Sequence, residues 1–243
     1  YASGGDGAYC NIDKVDPNNQ FSQYVFNNYY RSTDGGANFE AVTVPGTISG
    51  TGRFINPSDY DGVSKTLYAA ANYGDFMRWK NATTSTSFDL VKVTGMEGQV
   101  SAVTVSATSA GKIYLGTDYG EVIEIKDASS VATPVAGRNL GTPSNGYLNC
   151  IWEDAADSNH LIAVYSSYGV NSVVETLNAS DATPTWVAKD GDLPDMPIYW
   201  VLPDPSNTTT NVFIATELGV YSSSNFNDAS PQWLPTSDDM AYT

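Results

Sequence analysis

Short runs of β-branched and aromatic residues, each bounded by Gly, Asn, Asp, Ser or Pro, return along the whole chain. No stretch of useful length carries the 3.6-residue periodicity of an amphipathic helix. The runs are of four kinds that recur in a fixed order. First strands are predicted at residues 8–13, 53–56, 101–106, 148–153 and 198–202, and second strands at 22–26, 66–71, 112–116, 161–166 and 212–216. Third strands follow almost at once, at 29–32, 76–80, 121–126, 172–176 and 220–223, with outer strands at 38–44, 88–94, 131–136, 185–188 and 232–235. The first strands start about 45–50 residues apart, a period that fits four strands of five or six residues with their turns.

Such a repeat has a physical logic. A lone four-stranded sheet has two faces to cover, and radial stacking lets each sheet cover its neighbour. The pattern therefore predicts an all-β chain, a β-propeller of four-stranded antiparallel blades at about 1–45, 46–95, 96–140, 141–190 and 191–237, with 238–243 opening a further blade. A jelly roll or sandwich is the rival arrangement.

Composition agrees and narrows the chemistry. With 243 residues, 41% of them hydrophobic, the chain can bury a substantial core, and 21 Gly with 12 Pro supply its many turns. A net charge of −16 with only 11 Lys plus Arg argues against nucleic acid and anionic membrane surfaces, which are bound through basic residues. No apolar run is long enough to cross a bilayer as a helix, so no membrane insertion is expected. The first residue is Tyr1, so the chain reads as a processed or trimmed product, and the missing leader does not argue against secretion. Cys10 and Cys150 fall in first strands of different units and are expected as buried free thiols. His160 is the single histidine, in a polar turn after Ser158 and Asn159, which leaves little room for a His-dependent triad or metal site. For metals, Asp59 and Asp61 in the segment Pro57-Ser58-Asp59-Tyr60-Asp61-Gly62 are the best oxygen ligands, yet the spacing is not that of an EF-hand, and a solvated turn is the simpler reading. No metal and no cofactor are expected.

A family resemblance rests on specific residues. Ser32-Thr33-Asp34-Gly35-Gly36-Ala37-Asn38-Phe39 resembles the Asp-box, Ser/Thr-x-Asp-x-Gly-x-x-Trp/Phe, at the place in blade one where that box belongs, with Ser32, Asp34, Gly36 and Phe39 in structural roles. Worn versions run from Asn178 to Trp186 and from Ser223 to Trp233. Segments such as Ser3-Gly4-Gly5-Asp6-Gly7-Ala8 and Ile214-Ala215-Thr216-Glu217-Leu218-Gly219 also resemble the propellers of large secreted bacterial proteins, of sortilin-like and xyloglucanase-like type. The resemblance implies a fragment of a ring, of seven blades for example, in a secreted or cell-surface protein with carbohydrate- or protein-binding roles.

It also implies where a ligand sits: on the face shared by the turns between second and third strands and the loops between successive blades. The turns combine tyrosines with carboxylates, and Tyr73, Asp75, Asp118, Tyr119, Tyr168 and Glu217 are the ligand-binding candidates. The simpler reading of each Tyr-Gly is a hairpin turn whose ring packs on a neighbouring blade. The expected function is an extracellular binding or scaffold module for a glycan or protein. The alternative is a glycoside hydrolase, because Gly116-Thr117-Asp118-Tyr119-Gly120 resembles the segment bearing a catalytic aspartate in xyloglucanase-type enzymes, with Asp75 as a fainter echo of its partner. Those enzymes clasp substrate between two facing propellers, whereas this chain holds at most one. A sialidase-type triad is not formed by the scattered Arg31, Arg53, Arg78 and Arg138.

Overall fold

In the computed structural model, which describes residues 4–236, the repeat folds as five antiparallel sheets, each paired in sequence order. Blade one pairs Cys10–Ile12, Gln20–Gln23, Tyr29–Ser32 and Glu40–Ala41; blade two pairs Ser58–Asp61, Thr66–Ala70, Asp75–Lys80 and Ser87–Thr94. Blade three contains Val100–Val105, Ile113–Thr117, Val122–Ile125 and Arg138–Asn139, and blade four Leu148–Glu153, Leu161–Tyr165, Val173–Thr176 and Val187–Ala188. Blade five is built from Ile198–Asp204, Asn207–Thr216, Gly219–Ser223 and Leu234–Pro235. The one helix among the described residues, Gly46–Ser49, lies in the loop leading to blade two. The protein is a β-propeller.

Burial explains the sequence pattern. In blade two, Leu67 and Ala69 pack with Phe21 and Tyr29 of blade one, while Tyr68 and Ala70 pack with Ile113, Leu115 and Ile123 of blade three. A strand covered on both faces has no polar side to alternate with, so blades two to four read as continuous apolar runs. Each aliphatic side chain fully buried in these layers contributes about 1.5–3 kcal/mol relative to exposure. Blade five is covered on one face only. Val212 and Ile214 pack on blade four, whereas Phe213 between them is exposed, as are Trp200, Leu202 and Leu234. Among the described residues the sheets do not close into a full ring.

Two polar devices repeat from blade to blade. The first caps the turn that leaves each inner strand. Asp13 accepts from the Val15 and Asp16 N–H groups, Asp61 from Val63 and Ser64, Asp154 from Ala156 and Asp204 from Ser206, with the Ser106 hydroxyl accepting from Thr108 and Ser109 in blade three. The second is a cation at the rim that reaches carbonyls of the next blade. Arg31 donates to Ala82 and Ser85, Arg78 to Ala128 and Val131, Arg138 to Ala179 and Asp181, and Lys189 to Phe226 and Asp228. Each cation is held by an acid of its own blade: Glu40, Asp89, Glu124 and Glu175 respectively. In blades one and two the cation lies on the third strand, and in blades three and four the acid takes that place.

Besides differences in length, the strand assignments depart from sequence expectation at the following places. Residues 53–56 form a loop: the Asn56 side chain accepts from the Arg53 N–H and donates to the Ala70 carbonyl, and the inner strand starts only at Ser58. The second strand of blade one is Gln20–Gln23, ending where the Gln23 amide turns back to the Phe26 carbonyl. The outer strand of blade three is Arg138–Asn139, set by the pairing of Arg138 with Glu124; Val135–Ala136 instead runs parallel to Val93–Thr94 as a fifth strand of blade two. Residues 238–243, the expected start of a further blade, lie outside the described residues.

Candidate functional site

Turns between second and third strands meet the loops between blades at one end of the molecule. In blade three the Asp118 N–H donates to the Gln99 carbonyl at 3.1 Å and its carboxylate accepts from the Gln99 N–H at 2.9 Å. In blade four the Gly169 N–H donates to Asp195 of the following loop at 2.7 Å. The turn at Gly120 shows how close this packing is: φ is 86°, and a side chain there would collide with the Ser144 carbonyl.

The tyrosines stand out from this surface. Tyr73, Tyr119 and Tyr168 are 59%, 59% and 60% exposed, at the equivalent turn of three consecutive blades. The simpler expectation, that each ring packs on a neighbouring blade, does not hold: these rings face solvent. Tyr168 donates to Glu217 of blade five at 2.6 Å, and this bond raises its hydroxyl pKa. Burial, slight as it is, and then the neighbouring Tyr119, Glu97 and Asp118 raise that of Tyr73. Flat rings with acids between them form the candidate surface.

Asp118 and Asp75 are both near cations. Asp118 pairs with Arg53 at 2.8 Å while its other oxygen takes the Gln99 N–H, and Asp75 sits 3.7 Å from Lys92 on the adjacent strand, too far for a hydrogen bond. Arg53 is the residue that sequence reasoning missed. Read as part of a strand, it is a loop side chain that donates to the Gln99 and Val100 carbonyls and stacks 4.9 Å from the Tyr147 ring. No local pattern in the sequence marks that role.

The remaining candidates are structural. The Asp34 carboxylate accepts from both the side chain and the N–H of Asn38 and from the Ser32 hydroxyl, which lowers its pKa to about 2. The Ser32 hydroxyl accepts from the N–H of Gly36, whose φ is 86°, and Phe39 is half-buried. Thr176 with Asn178 and Ser223 with Asn225 repeat the arrangement in blades four and five, each Asn accepting from an N–H seven residues on. The expected solvated turn at Asp59 and Asp61 is in fact an inner strand. Asp59 accepts from the Val105 N–H and Asp61 from the Gly111 N–H, so both carboxylates tie blade two to blade three. Among the described residues no group of three or more His, Cys, Asp or Glu could hold a metal ion.

His160 is buried rather than loose in a polar turn. It lies between Asp154 at 3.3 Å and Glu175 at 2.9 Å. Both cysteines are free, but Cys10 is exposed where a buried thiol was expected, and Cys150 is buried with its pKa pushed up to about 12 by desolvation. The inner strands of all five blades line a central cavity of about 800 Å³, which includes Cys10, Asp59, Val103, Trp152 and Trp200.

No protein-family model matches the chain, and no curated protein sequence matches it. Solved structures do resemble it. YCF48 from Cyanidioschyzon merolae superposes with a TM-score of 0.61 at 16% identity over 84% of this chain and 65% of that one. A YCF48 bound to a D1 peptide gives 0.61 at 13% identity, over 94% of this chain and 67% of that one. An ancestral GH74 enzyme gives 0.66 at 15% identity, over 94% of this chain but 32% of that one. The chain thus spans about two thirds of YCF48 and one third of the GH74 enzyme, and at these identities the similarity is one of fold: this chain is similar to propellers of both kinds.

Proposed function

We propose that this chain is a binding or scaffold module, extracellular in setting, whose tyrosine-bearing end takes a protein or glycan ligand without chemical turnover. The observation that carries the reading is the exposure of Tyr73, Tyr119 and Tyr168 at equivalent turns of consecutive blades. Exposed aromatic rings on rigid turns offer apolar area with a polar tip and little conformational entropy to lose, which suits peptide segments and sugar rings alike. Hydrolysis is the weaker reading. A retaining or inverting pair needs two working carboxyl groups, and Asp118 has both oxygens taken by donors, which leaves Asp75 as the one free carboxylate of the two. The bond pattern around Ser32, Asp34 and Gly36 supports kinship with Asp-box propellers, and the acidic, turn-rich composition is compatible with a secreted location.

The test is retention on peptide and glycan arrays, in parallel with a reducing-sugar assay on β-glucans. The expected result is retention of a defined ligand set that the Tyr73→Ala/Tyr119→Ala/Tyr168→Ala variant loses, with no sugar released. Release of reducing ends that Asp118→Asn abolishes would replace this reading with the hydrolase.

A further inference from the structure

Next to the tyrosine row lies an acidic pocket of about 560 Å³ between three segments of chain: the loop before blade four at Thr142–Asn145, the turn at Gly169–Ser172, and the loop before blade five at Asp190–Asp195. Its lining carries two carboxylates, Asp190 and Asp195, and no basic side chain.

Two polar atoms in this wall lack partners. Ser144 is 6% exposed, and its hydroxyl makes no hydrogen bond. Asp190 uses one carboxylate oxygen to accept from the Ser172 N–H at 2.6 Å, while the other is buried and unpaired. A buried polar atom without a partner is unfavourable, and more so when it is charged. Burial first, and then the charge of Asp195, raise the pKa of Asp190, as expected of a carboxylate that lacks a counter-ion. Asp195 lies at the exposed edge and already anchors the Gly169 N–H. Buried acids elsewhere are satisfied either by a cation, as Glu153 is by Lys112 and Glu175 by Lys189 and His160, or by donors to both oxygens, as Asp61 is by the Val63, Ser64 and Gly111 N–H groups; the second oxygen of Asp190 has neither. The pocket supplies the acid and the acceptors without the cation.

We propose that this pocket takes a cationic side chain, arginine or lysine, presented by a protein ligand lying across the tyrosine row. A guanidinium or ammonium group donates to both Asp190 and the Ser144 hydroxyl and neutralises the charge shared by the two aspartates. A calcium ion fits less well, because it takes six to eight oxygen ligands and the pocket offers two carboxylates. The inference rests on the proposed binding function and names the class of ligand.

Its test uses the intact chain and small probes: N-acetylarginine amide, N-acetyllysine amide, the neutral N-acetylcitrulline amide and calcium chloride, each followed by backbone NMR shifts. The expected result is saturable shifts confined to residues 142–145, 169–172 and 190–195 for one or both cationic amides. Citrulline should bind at least tenfold more weakly, and Asp190→Asn should weaken the cationic probe at least tenfold. Ser144→Ala, which removes no charge, should weaken it several-fold while leaving the fold intact by circular dichroism. Lowering the pH toward 4 with the unmodified chain should release the probe as Asp190, whose pKa burial raises, becomes protonated. Equal binding of citrulline and arginine amides, shifts outside the pocket, saturation by calcium alone, or no shifts at tens of millimolar would each overturn the inference. The two proposals fail separately. If array ligands are retained regardless of their basic residues, only the cation pocket is refuted; if cationic amides bind but no array ligand depends on the tyrosines, only the tyrosine surface is refuted.

Discussion

Glu153 shows how much a single residue holds between two blades. With its side chain 1% exposed, it accepts from Lys112, Tyr114, Ser106 and the Ala107 N–H, all in blade three. Burial works against its charge, yet these donors outweigh it and lower the Glu153 pKa. Replacing Glu153 by Gln leaves the Lys112 ammonium buried without a counter-charge, and we expect a loss of about 3–5 kcal/mol in urea unfolding. His160 makes the matching prediction in pH. Burial alone would hold the ring neutral, but Glu175 and then Asp154 raise its pKa above the usual 6.5, with Lys189 on the far side of Glu175 and Thr208 of blade five donating to Asp154. A raised histidine pKa contributes stability that is fully present below 6.5 and lost as pH rises through the folded value. The lowered values of Asp154 and Glu175 contribute above 3.8 and 4.5 and are lost as pH falls. The melting temperature should therefore be highest between about pH 5 and 6.5 and decline toward pH 8. His160→Gln should flatten the alkaline decline; an unchanged profile would remove the cluster from the account.

At the scale of elements, what could be read depended on how many faces a strand buries. The second strands of blades two to four are legible because both faces are covered, which leaves five consecutive buried residues in Thr66–Ala70 and in Leu161–Tyr165. Apart from Ser87–Thr94, the outer strands are two-residue ladders, and in Glu40–Ala41 and Arg138–Asn139 these contain polar residues; there the pattern misled, since apolar Val131–Ala136 looked more strand-like than the pair that docks on Glu124. The capping aspartates Asp13, Asp61, Asp154 and Asp204 were visible as letters, but Asp61 read as part of a solvated turn because only its cross-blade bond to Gly111 reveals its task. Three of the four rim cations, Arg31, Arg78 and Arg138, were likewise visible only as scattered arginines. Arg78 is the most buried of those arginines, at 6% exposure. Arg78→Met should leave the Ala128 and Val131 carbonyls without donors and cost about 2–3 kcal/mol by urea unfolding. Arg138→Met, at a more exposed rim position, should cost less. Of the candidate site, the tyrosine turns were legible from Tyr-Gly spacing, whereas the clamp of Arg53 on Asp118 and the pocket at Ser144 and Asp190 join segments distant in sequence and leave no local mark.

For the whole molecule, a net charge of −16 is distributed over a scaffold whose blades are joined by buried acid–cation clusters, so much of the remaining acidity faces outward. That favours association with basic protein surfaces and predicts that ligand binding weakens as salt rises. The central claim is that Tyr73, Tyr119 and Tyr168 form the binding surface, and it is tested most directly by calorimetric titration of an array-identified ligand into the unmodified chain and the triple alanine variant. The account predicts that affinity falls by at least a hundredfold in the variant while its melting temperature stays within about 2 °C, since surface substitutions away from packing seldom change stability by more than about 0.5 kcal/mol. Equal affinity in the two proteins would contradict it.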